Sequence, residues 1–88
     1  MIPPGLVVVS REGCGLCDEM LHALAELERA QSLPPVTVVD VDSHPELVRQ
    51  FGLKVPVLLL DGSVICHYTL NSKELLRLLR PPAAIIPR

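Results

Sequence analysis

Aromatic residues are almost missing from this chain, which has no tryptophan, one tyrosine and one phenylalanine among 88 residues. Any core must therefore be aliphatic, and a hydrophobic content of 49% is enough to build one. Basic charge is scarce too, with eight Lys and Arg against ten Asp and Glu and a formal net charge of −2. That balance offers no positive field to nucleic acid or to an anionic membrane surface, so neither is expected as a partner. No apolar run approaches the roughly 20 residues needed to cross a bilayer, and the first residues lack the basic segment and apolar stretch of a secretory leader. Cysteines number three, an odd count that argues against a secreted disulfide framework and fits reactive or buried thiols in a reducing, cytoplasmic setting. The length suits one domain over residues 1–80, followed by a short Pro-rich tail over 81–88, and a monomer is expected.

What the chain does contain is concentrated at Arg11-Glu12-Gly13-Cys14-Gly15-Leu16-Cys17-Asp18. Upstream, Leu6-Val7-Val8-Val9 is a β-branched run bounded by Pro3-Pro4-Gly5 and reads as a buried strand. Downstream, Leu16, Cys17, Met20, Leu21, Leu24 and Leu27 share one face of a helix that should end near Ala30. The two cysteines thus sit at a strand-to-helix junction, where Gly13 and Gly15 allow a tight turn. Cys14 is expected at the helix entrance and Cys17 one turn further in, facing the core. A nucleophilic cysteine must be a thiolate, and free N–H groups at a helix start stabilise negative charge. An effect of about 0.3 to 2 kcal/mol corresponds to roughly 0.2 to 1.5 pKa units, so a thiol near 8.5 would move toward about 7 to 8. Arg11 adds to this while Glu12, Asp18 and Glu19 oppose it, and a moderately activated thiol results.

The rest of the chain reads as support. Ser32-Leu33-Pro34-Pro35 is a stiff connector, and Val36 to Val41 is a second strand ending at Asp42, parallel to the first through a right-handed crossover. Ser43-His44-Pro45-Glu46 has the capping-box spacing for a short helix with Leu47, Val48 and Phe51 facing the core and Gly52 as a left-handed terminator. Val57-Leu58-Leu59-Leu60, Asp61-Gly62 and Ser63-Val64-Ile65-Cys66 form an antiparallel hairpin. Asn71-Ser72-Lys73-Glu74 opens a last helix carrying Leu75, Leu76, Leu78 and Leu79, and Pro81-Pro82 stops it.

The order βαβαββα, with Cys14-Gly15-Leu16-Cys17 after the first strand and Val55-Pro56 opening the third, resembles the thioredoxin fold in its small glutaredoxin form. It is most similar to small glutaredoxin-like proteins with a Cys-x-x-Cys-Asp start and a later Val-Pro-Val run, over roughly residues 5–80. The resemblance implies an α/β, thioredoxin-like architecture: a mixed four-stranded sheet with helices on both faces. It also implies that Cys14 attacks and Cys17 resolves, that Pro56 is a cis-proline facing them, and that the Val55 backbone pairs with a bound peptide or glutathione. Arg11 stands where glutaredoxins often carry a basic residue for a glutathione carboxylate, and Lys54 is a second candidate cation. Leu16 replaces the aromatic residue common between glutaredoxin cysteines. Cys66-His67 replaces the Gly-Gly that lets glutathione approach, so this pair should lie beside Cys14 and crowd that surface.

The reading that follows is a thiol-disulfide oxidoreductase working through a Cys14–Cys17 dithiol/disulfide on a disulfide-containing protein or a low-molecular-weight thiol. No resident cofactor or metal is expected, with glutathione one possible reductant. The alternative is a non-catalytic thiol module that binds a metal ion, or a partner protein through the Val55-Pro56 edge. A zinc site would need two ligands beyond the cysteine pair. Cys66 and His67 are the attractive candidates, yet neighbours on a strand point to opposite faces.

Overall fold

A strand whose consecutive residues are all apolar must be covered on both sides, and Leu6, Val7, Val8 and Val9 are buried completely. In the computed structural model, which describes residues 2–80, they form β1 (Leu6–Ser10) near the middle of a four-stranded sheet. The other strands are β2 (Val36–Asp40), β3 (Val57–Leu60) and β4 (Ser63–His67), in the order β2-β1-β3-β4. β1 runs parallel to β2 and antiparallel to β3, and β3 pairs antiparallel with β4. Helix α1 (Gly15–Ala30) makes the crossover to β2, α2 (Pro45–Phe51) precedes β3, and α3 (Ser72–Leu79) follows β4.

Alternation along the strands sorts the core into two layers. Val7, Val9, Val57 and Leu59 point to one face, where Val41 and α2, through Leu47 and Phe51, cover them. Leu6, Val8 and Leu58 point to the other, against Met20 and Leu24 of α1 and Leu75 of α3. Helices therefore lie on both faces, and the single phenylalanine is the only aromatic side chain in either layer. At the Asp61-Gly62 turn both residues have positive φ, 49° and 84°, the pairing of a type I′ hairpin that only a glycine meets without strain. Asp61 also closes the other end of the sheet, since its carboxylate accepts the Gly5 N–H at 2.7 Å.

Several local expectations are corrected. β2 stops at Asp40, and Val41–Ser43 forms a 3-10 turn, because the Asp40 carboxylate accepts the Asp42 N–H at 2.9 Å and its carbonyl accepts the Ser43 hydroxyl at 2.6 Å. Ser43 is thereby used up, and His44 rather than a serine capping box precedes α2, with no side-chain cap. Gly52 is right-handed, with φ −54°. Val48 is exposed because Leu47 and Phe51, four apart, already define the buried stripe of a two-turn helix. Leu16 is 40% exposed, because the α1 side chains packed against the sheet begin at Met20. The Asn71 start of α3 is as expected, its side chain accepting the Glu74 N–H at 3.0 Å. The 81–88 tail lies outside the described residues.

One ion pair reaches across this scaffold. Arg11, just past β1, donates from Nε and Nη2 to the two carboxylate oxygens of Asp42 at 2.8 and 2.9 Å, and from Nη1 to the Gly52 carbonyl at 2.8 Å. Hydrogen bonding from Arg11 holds the Asp42 carboxyl below its usual range, opposed by partial desolvation and aided by charge attraction. The carboxyl is more acidic folded than unfolded, so the pair's stabilisation is complete above the unfolded value of about 3.9 and is lost as pH falls through the folded one. The stability gap between the natural protein and Asp42→Asn should accordingly be constant between about pH 5 and 7 and close below about pH 4, as measured by urea unfolding at graded pH. In the same assay at neutral pH, Leu58→Ala should cost about 2 to 5 kcal/mol, as for other fully buried leucines, whereas Leu53→Ala, at a side chain 94% exposed, should leave stability nearly unchanged.

Candidate functional site

Sheet register brings three separated segments to one end of the molecule. Val57 pairs with Val9 on one side and with His67 on the other, forming a row across the sheet. The residues just past this row are the cysteine loop after β1, the Gly52–Pro56 loop before β3, and the turn after β4.

The cysteine loop turns at Gly13, whose φ of 77° is open to glycine, and the Cys14 N–H donates to the Arg11 carbonyl at 3.3 Å. Cys14 is the N-cap of α1, its Sγ accepting the Cys17 N–H at 3.1 Å. A cap position puts that sulfur against the positive end of a 16-residue helix, the placement that favours a thiolate. Cys17 lies one turn on and is fully buried, whereas Cys14 is half-buried. The two are joined in a disulfide, with Cα atoms 5.2 Å apart. Glu12, Asp18 and Glu19 are exposed around them, and an open groove on the β2 side of the loop is lined by Arg11, Glu12, Asp18 and Asp40 together with Ser10, Gly13 and Val38. The rim of the site is acidic.

Val55-Pro56 is a cis peptide, as the resemblance implies, and Pro56 is buried at the start of β3. Among the described residues, neither the N–H nor the C=O of Val55 has a backbone partner, which leaves a short extended edge next to the cysteine loop. Lys54 is exposed, and its N–H donates to the Phe51 carbonyl at 2.8 Å. Arg11 has three of its donors committed to Asp42 and Gly52.

The Cys66-His67 pair divides between the faces. Cys66, opposite Leu58, packs into the layer with α1 and α3, and its Sγ accepts the Asn71 N–H at 3.5 Å. Its thiol is free and half-buried. His67, opposite Val57, stays at the sheet end, its ring 6.0 Å from that of Tyr68. Among the described residues no group of three or more His, Cys, Asp or Glu side chains is placed to hold a metal ion.

Two contributors were not singled out from the sequence. Asp42 holds Arg11, and the nearest signal for it was the acidic pair Asp40 and Asp42 closing an apolar strand. Tyr68 is the other. Its backbone N–H donates to the Pro56 carbonyl at 2.8 Å, and its hydroxyl to the Leu53 carbonyl at 3.2 Å. A φ of 67°, uncommon for an aromatic residue, accompanies these two bonds. Tyr68 thus spans both ends of the loop that presents Val55, and with Leu16 and Leu53 it leaves apolar surface at this end of the sheet.

Known proteins share this fold. The Protein Ne2328 of Nitrosomonas europaea, solved in solution by NMR, superposes with a TM-score of 0.75 at 33% identity, covering 89% of this chain and 94% of that one. The crystallographic structure of protein XcR50 from X. campestris gives a TM-score of 0.67 at 29% identity, over 88% of this chain and all (100%) of that one. Among curated sequences, the uncharacterized proteins Rv0508 of Mycobacterium tuberculosis and Mb0520 of Mycobacterium bovis are each 31% identical over 80 residues, covering 85% of this chain and 81% of theirs. These likenesses identify the fold as thioredoxin-like. The Glutaredoxin-like domain (DUF836) matches residues 5–80, nearly the whole described fold, and the chain belongs to that family.

Proposed function

We propose that the protein is a thiol-disulfide oxidoreductase acting on disulfide-bearing polypeptides. The observation that carries this reading is the Cys14–Cys17 disulfide at the start of α1, with the Cys14 sulfur at the helix cap and Cys17 buried behind it. In the reduced protein the Cys14 thiolate attacks one sulfur of a substrate disulfide, forming a mixed disulfide and expelling the other sulfur as a thiolate. Cys17 then loses its proton and attacks the Cys14 sulfur. The second substrate thiolate leaves, both substrate sulfurs take up protons, and two electrons have passed from the cysteine pair to the substrate. An external thiol reductant returns the pair to the dithiol.

The surroundings favour a polypeptide over glutathione as the molecule held. Arg11 is committed to Asp42 and Gly52, the rim is acidic, and Leu16, Leu53 and Tyr68 offer apolar surface beside the free Val55 edge. An extended peptide on that edge would bond through its own backbone, as strand addition does. Lys54 and His67 are the remaining candidates for contacting it. The reductant is then a dithiol protein more readily than glutathione, and the free Cys66 suits a reducing, cytoplasmic setting. No resident cofactor is required for this exchange.

Brief alkylation of the reduced protein with iodoacetamide should modify Cys14 ahead of Cys17, by mass mapping; equal or reversed labelling would remove the assigned roles. A Cys17→Ser form should accumulate mixed disulfides at Cys14 with polypeptides, released by dithiothreitol, and failure to trap any disulfide substrate would defeat the reading. Turnover with a thioredoxin reducing system should exceed turnover with glutathione.

A further inference from the structure

Among the described residues, the other ion pairs join neighbours on one helix: Glu26 with Arg29 and His22 on α1, Glu46 with Arg49 on α2, and Glu74 with Arg77 on α3. Such pairs brace a single turn and are individually weak. Arg11 and Asp42 are 31 residues apart, and they bring together three loops at the reactive end of the sheet. The Arg11 carbonyl receives the Cys14 N–H, its guanidinium grips the 3-10 turn after β2 through both oxygens of Asp42, and the same guanidinium binds the Gly52 carbonyl at the head of the loop that presents Val55. Resting on the oxidoreductase reading above, the geometry points to Arg11 as a positioning residue that fastens the cysteine loop to the Val55-Pro56 loop, and not as a ligand for a substrate carboxylate.

The physical grounds are those of a fork. A planar guanidinium can satisfy a carboxylate with two parallel bonds and still present Nη1 to a third acceptor. The Asp42 side of the fork is itself braced, since Asp40 takes the Asp42 N–H and the Ser43 hydroxyl. Tyr68 holds the same loop separately, through the Leu53 carbonyl beside its head and the Pro56 carbonyl at its far end. With both ends fastened, the Val55 edge keeps one distance from the Cys14 sulfur, so a peptide paired along that edge has its disulfide delivered to the nucleophile. A lysine at position 11 would retain the charge near the helix start but lacks the planar fork that gives Asp42 two parallel bonds and Gly52 a third.

The test separates positioning from thiol activation and from anion binding. Reduced natural protein, Arg11→Lys and Asp42→Asn are reacted with four probes: iodoacetamide, 2-hydroxyethyl disulfide, oxidised glutathione, and a neutral disulfide peptide capped at both ends. Both variants should lose about tenfold in rate with the capped peptide while iodoacetamide and 2-hydroxyethyl disulfide react as before, because only the peptide needs the aligned edge. Slower reaction of Arg11→Lys with oxidised glutathione alone, the capped peptide being unaffected, would overturn the inference in favour of a carboxylate ligand. Should the natural protein react with none of the three disulfides, the oxidoreductase reading fails, and amide NMR decides the positioning question by itself. Fastened loops require Arg11→Lys to move the Leu53, Lys54 and Val55 resonances together with that of Cys14, and changes confined to the cysteine loop would overturn the inference. If Arg11→Lys does not fold, Asp42→Asn carries both readouts.

Discussion

β1 is the constraint on which the molecule depends. It pairs on both edges and is buried on both faces, so its length and direction set where everything else can go. Its parallel partner demands a long crossover, supplied by α1, and its antiparallel partner β3 must begin where β1 ends. The loop after β1 and the loop before β3 are therefore neighbours by necessity. The cysteine that caps α1 and a Val55 backbone with no backbone partner among the described residues come to the same end of the sheet without any direct attraction between them.

The chemistry of that end follows from how its donors and acceptors are spent. Arg11, the cation nearest the cysteines in sequence, is bonded to Asp42 and to the Gly52 carbonyl, which links three loops at this end. Acidic side chains at Glu12, Asp18 and Glu19 surround the helix start and oppose the stabilisation that the α1 dipole offers a thiolate. The backbone N–H that the Cys14 sulfur receives from Cys17 would act at short range on a thiolate once the disulfide is reduced.

Most of the scaffold was legible because its signals are local. Leu6 to Val9 is apolar without alternation, Asp61-Gly62 carries the hairpin turn, and Asn71 caps α3 through a bond three residues long. The Cys-x-x-Cys spacing and the later Val-Pro were legible in the same way. What escaped were features decided by which of several possible partners, near or distant in sequence, wins in the folded chain. Ser43 looks like a helix cap until Asp40 claims its hydroxyl, and Leu16 looks buried by helical spacing although the α1 side chains packed against the sheet begin at Met20. Asp42 carries no local signal for Arg11, and nothing in Tyr68-Thr69 announces that this tyrosine bonds the Pro56 and Leu53 carbonyls. The alternation that separates Cys66 from His67 was legible from their adjacency on a strand, and it sends one into the core layer and keeps the other at the sheet end.

The central claim is that Cys14 and Cys17 form a reversible two-electron couple from which Cys66 is excluded by its place against Leu58 and Asn71. Equilibrating the protein in a series of dithiothreitol redox buffers, quenching with an alkylating agent and mapping the peptides by mass measures this directly. The account expects one cooperative transition confined to Cys14 and Cys17, fully reversible from both directions, with Cys66 unpaired at every potential. A pair that never oxidises, or a disulfide that recruits Cys66 at equilibrium, would contradict it.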